Sequence, residues 1–150
     1  MAIKVREVDN PDIIKRCEVA LSDAGYRVSA KGSQLSVTQA GFVDKSVDFT
    51  VRLVDIDGHL LLQLTSILAD SNESFERVAL AVARGNMHCH TVSFSPVEYG
   101  ANEGKSFSVI AQSHIYADYF SVAELASMVY LFARELDDID NEIRAILSGE

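Results

Sequence analysis

Apolar and polar positions change period several times along the chain, and each change marks an element. Asn10-Pro11-Asp12 supplies an N-cap, a proline at the first helical position and an acid near the positive end of the helix dipole. Ile13, Ile14, Cys17, Ala20, Leu21 and Ala24 follow as one apolar stripe, and Gly25 stands where a left-handed C-cap belongs, so a helix is predicted between them. Residues 1 to 9 have no clear period and are read as extended. From Tyr26 the period is two: Tyr26, Val28 and Ala30, a turn at Lys31-Gly32-Ser33-Gln34, then Leu35 and Val37. A second hairpin follows, with Val47, Phe49, Val51 and Leu53 on one arm, Asp57-Gly58 at the reversal, and Leu60, Leu62, Leu64 and Leu68 on the other.

Asp70 and Glu73 precede Phe75, Val78, Ala79 and Val82 at helical spacing, and Gly85-Asn86 reads as the end of a short second helix. Beyond it, His88, His90, Val92 and Phe94 are expected on one face of a strand. Pro96 to Lys105 reads as a long loop, and Phe107, Val109, Ala111 and Ile115 as an antiparallel return. Ser121-Val122-Ala123-Glu124 is a capping box opening the last helix. The first half of that helix is apolar over a wide face (Val122, Leu125, Ala126, Val129, Phe132, Ala133). Its second half keeps a narrow seam of Leu136, Ile139, Ile143 and Ile146. The predicted fold class is α+β: an antiparallel sheet of about six strands with N-terminal, middle and long C-terminal helices, in one domain spanning residues 1 to 150.

Composition supports a globular domain and narrows its partners. The 150 residues are 48% hydrophobic and 23% charged, and their net charge of -9 disfavours nucleic acid and anionic membranes. The thirteen Lys and Arg form no basic run. No stretch reaches membrane-spanning length, and the opening residues lack the apolar core of a signal peptide. Two cysteines, Cys17 and Cys89, suit a reducing cytoplasm with both thiols free.

The layout resembles the YbjN-like family and the related type III secretion chaperone-like fold. The resemblance rests on an αβββαββα-type order, on the helix ending in Gly85-Asn86 before a strand at His88 to Phe94, and on the closing helix from Ser121 to Leu147. It implies a small acidic homodimer that holds extended segments of partner proteins and catalyses nothing, with no catalytic residue to carry over. An apparent extra strand between Tyr26 and Val54 departs from the family pattern.

Candidate chemistry is sparse, and no cofactor motif is present. His88 and His90 on one strand face, with His114 or His59 from elsewhere, are the metal candidates, against a plain reading as solvated strand histidines. Cys17 or Cys89 beside a histidine is the thiol candidate, against simple packing. The acids around Asp137, Asp138 and Asp140 read as a solvated helix face, and Asp55-Ile56-Asp57-Gly58 as a turn rather than a calcium loop. The seam Leu136, Ile139, Ile143 and Ile146 fits either the tail of the intramolecular contact or pairing with a second subunit. Tyr99, in the loop containing Gly100 and Gly104, is a candidate partner contact. The reading is therefore a non-enzymatic domain that binds protein and itself, with a small-molecule or metal-binding regulatory domain as the alternative.

Overall fold

Proline at position 11 has no amide to leave unbonded in a first helical turn, and the Asn10 carboxamide accepts from the Ile13 amide at 3.3 Å. Helix α1 therefore runs Pro11–Asp23, followed by Gly25 at φ +97°. The computed structural model describes residues 4–38, 48–99, 106–117 and 121–149. Ahead of α1 lies a short strand β1 (Val5–Glu7). After it come the hairpins β2 (Arg27–Lys31) with β3 (Gln34–Thr38) and β4 (Phe49–Ile56) with β5 (His59–Glu73). Helix α2 (Phe75–His88), strands β6 (Ser93–Tyr99) and β7 (Ser106–Tyr116), and helix α3 (Val122–Ser148) complete the order. Val47 and residues 100–105 of the expected hairpin and loop lie outside the described residues.

All the strand pairings are antiparallel. The sheet runs β2-β3-β4-β5-β7-β6, and β1 pairs with the far end of β4. Inward positions of β3, β4, β5 and β7 (Leu35, Val37, Phe49, Val51, Leu53, Leu62, Leu64, Val109, Ala111) join Leu21 of α1, Val78 of α2 and Leu125 and Phe132 of α3 in one buried cluster. Phe132 meets Phe49 edge-on at 5.3 Å between ring centroids. The helices thus share the face carrying that cluster. The opposite face carries polar side chains in register.

Both segments around the second helix depart from expectation. Gly85 and Asn86 do not end α2, which continues to His88, with Cys89 as its C-cap. The Phe94 ring lies against Gly85 so closely that a Cβ there would sit 2.7 Å from it, so this glycine makes room for a ring. The N-cap of α2 is Ser74, since Asp70 and Glu73 still belong to β5. His88, His90 and Val92 therefore lie outside any strand, and β6 starts at Ser93. It takes in Pro96 to Tyr99, which the pattern assigned to a loop; proline is admissible there because β6 is an edge strand.

Candidate functional site

The three histidine candidates come to separate places. His88 ends α2, His90 lies in the bend after it, and both are exposed; His114 stands on β7, on the polar face of the sheet. Among the described residues no group of three His, Cys, Asp or Glu side chains is close enough to hold a metal ion. A hollow of about 200 Å³ is lined by His88, Cys89, Glu135, Asp138, Ile139 and Glu142. Its two glutamates are engaged. The Glu135 carboxylate accepts from the amides of His90 and Thr91 and from the Thr91 hydroxyl, at 3.0–3.3 Å, and so anchors the bend to α3. Glu142 pairs with Arg84 at 3.2 Å, and Asp140 with Arg144 at 2.9 Å.

The thiols are quiet. Burial pushes Cys17 and Cys89 up to about 11, with the carboxylates of Glu135 and Asp138 adding to the effect at Cys89. Neither is a thiolate nucleophile at neutral pH. An aromatic disulfide reagent is expected to modify both at least ~100-fold faster in denaturant than in buffer, as the exposed fraction rises on unfolding. Fast modification of the native protein would show that one of them reaches solvent.

On the polar face, register sets residues in rows. Lys31, Gln34, Arg52, Gln63 and His114 stand opposite one another across five strands. Arg52 donates to the Gln63 carboxamide oxygen at 2.6 Å, which turns the Gln63 amide nitrogen toward His114 Nε2 at 3.1 Å. That contact needs an unprotonated Nε2. Burial first, then the Arg52 charge, lowers the His114 pKa, in agreement with that tautomer. Beside Arg52, Glu7 accepts from Ser33 and Gln34, which hold its carboxyl below the usual range. A second row, Ser29, Ser36, Thr50, Thr65, Gln112 and Ser93, crosses six strands.

The two ends of the sheet path are treated differently. The two-residue turns at Gly32-Ser33 and Asp57-Gly58 fix the alternation of bonded pairs, and both lead to the same parity. On β6 the main-chain groups of Phe94 and Pro96 face away from β7. The Asn86 side chain takes both groups of Phe94, donating to its carbonyl at 3.1 Å and accepting from its amide at 2.8 Å. At Pro96 there is no amide to offer, so this edge is closed over much of its length. On β2 the outward groups are those of Val28 and Ala30. Among the described residues they have no partner, since the main-chain bonds of β2 are those it makes with β3.

Next to this open edge, Tyr26 lines an apolar groove of about 420 Å³ with Ala24, Ala126, Ser127, Tyr130 and Leu131. The α3 seam does not add to the exposed surface. Leu136, Ile139 and Ile143 are 1%, 3% and 0% exposed within this one chain, and Ile146 packs partly buried against the same core. Helix α3 meets α1, α2 and the sheet, so the seam is used inside the subunit, and its reading as a face for a second subunit is corrected. Tyr99 is the last residue of β6, and its side chain lies outside the described residues. Pattern reasoning missed the β2 edge altogether. Its signal was the exposed, cation-bounded Arg27-Val28-Ser29-Ala30-Lys31. No helix among the described residues is long and apolar enough to cross a membrane. In comparisons with known proteins, no family model and no curated protein matches this sequence.

Proposed function

We propose that this chain is a non-catalytic binding domain that holds an extended segment of another polypeptide by adding it as a strand beside β2. The observation that carries the reading is the asymmetry of the edges: Asn86 and Pro96 close β6, while among the described residues the amides and carbonyls of Val28 and Ala30 have no partner on β2. Strand addition draws affinity from such main-chain groups and selectivity from the alternate side chains. The element order, with three helices on one side of an antiparallel sheet and a long closing helix, also supports kinship with the YbjN-like and secretion chaperone-like proteins. In this chain four strands, β2 to β5, stand between α1 and α2. A cytoplasmic homodimer is part of the same proposal. Exposed apolar side chains on α2, among them Leu80 and Met87 at 54% and 76%, are open to self-pairing in place of the buried seam.

Ala30→Pro tests the reading, because it removes an outward amide and no bond to β3. Segments captured from a lysate by the unaltered protein are expected to fall at least ~10-fold for this variant, in line with the loss of one or two main-chain hydrogen bonds. Its thermal midpoint should stay within a few degrees. Capture that survives in a folded Ala30→Pro variant would refute strand addition at β2.

A further inference from the structure

The side chains bordering the open edge specify what it can take. Arg27, Ser29 and Lys31 share the polar face of the sheet, while Val28 and Ala30 point to the helix-covered face, where Val28 is partly buried against the core. Among the described residues neither the Arg27 nor the Lys31 side chain has an ion-pair or hydrogen-bond partner, although both are exposed on a chain of net charge -9. Two cations therefore stand four residues apart on one face of a strand that, among the described residues, has a neighbour on one side only. A strand laid antiparallel beside β2 places a side chain directly across from each.

A second copy of β2 fits this arrangement badly. The two-fold pairing that bonds Val28 of each copy to Ala30 of the other, and so uses all these outward groups, is centred on Ser29, and it sets Arg27 opposite the other copy's Lys31 twice over. Like charges directly opposite destabilise an antiparallel pair. Acids in those two places would instead neutralise both cations. We infer that the occupant of the β2 edge is an extended segment of a different protein, with acidic residues at two positions four apart on one face and apolar residues between them on the other.

This inference rests on the strand-addition reading, and the experiment separates the two. Two labelled synthetic peptides serve as probes: one with the core Glu-Val-Thr-Val-Glu and one with Lys in place of both Glu, flanked identically and followed by fluorescence anisotropy at low salt. The full chain is expected to bind the Glu peptide about tenfold more tightly than the Lys peptide, a preference that narrows as salt screens the exposed pairs. The double variant Arg27→Glu with Lys31→Glu should reverse the order, and Ala30→Pro should weaken both. Equal binding of the two peptides, abolished by Ala30→Pro, would overturn the acidic specificity and leave strand addition standing. Binding of neither peptide, or binding untouched by Ala30→Pro, would overturn both. A dimer that Ala30→Pro dissolves would show that a second copy occupies the edge and would likewise overturn the inference.

Discussion

Ile143→Ala is expected to lower folding stability by about 2–5 kcal/mol, the usual cost of truncating a fully buried aliphatic side chain to alanine, and to leave the sedimentation coefficient unchanged. Ile143 is 0% exposed within a single chain and belongs to the same cluster as Leu136, Ile139 and Leu147. The vacated volume is walled by α3's own neighbours and cannot refill with water at low cost. Against a total stability of about 5–15 kcal/mol, such a loss should be plain in the denaturation midpoint. Had the seam joined two subunits, the loss would depend on protein concentration and the variant would sediment as a smaller species. Urea titrations of the variant and the unaltered protein at two concentrations differing by ~30-fold decide the matter: a loss inside one subunit leaves the difference between their midpoints the same at both, and a loss across the seam makes it depend on concentration.

Asn86→Ala should have the second largest effect. It frees the amide and the carbonyl of Phe94, a residue 3% exposed on the β6 edge, and each buried group left without a partner costs about 1–3 kcal/mol. Its second consequence follows from the edge itself. Without the carboxamide, Phe94 presents its main-chain groups outward on an edge strand, beside Pro96. The variant should self-associate at concentrations where the unaltered protein does not aggregate, as uncovered edges do. Light scattering with a cross-β dye reads this. An Asn86→Ala variant of unchanged stability and solubility would show that the carboxamide does not guard the edge.

What was legible in the sequence was local. The Ser121–Glu124 capping box forms as read, with reciprocal contacts of 3.2 Å, because its partners lie three residues apart. The Asp57-Gly58 reversal and the alternation of β3, β4 and β5 were equally plain, since turn chemistry and inward burial both act within a few residues. What failed depended on partners distant along the chain or hidden by folding. Gly85-Asn86 carries the composition of a helix end, yet both residues serve Phe94 from inside the helix. Reading them as a stop placed His88 and His90 on a strand that does not exist there, and with it went the shared histidine face. The seam of α3 was visible, but whether one subunit or two covers it depends on where α1, α2 and the sheet lie, which periodicity along one helix does not encode. Edge status is likewise set by the strand order β2-β3-β4-β5-β7-β6, of which the cations bounding β2 are only an indirect mark.

The central claim is that β2 offers free main-chain groups to an incoming strand. Residue-resolved hydrogen exchange tests it most directly. The account predicts that the amides of Val28 and Ala30 exchange rapidly in the free protein while that of Ser29, bonded to β3, is protected. On addition of the Glu-Val-Thr-Val-Glu peptide, Val28 and Ala30 should become protected as well. Protection of Val28 and Ala30 before any peptide is added, or exchange unchanged at saturation, would contradict it.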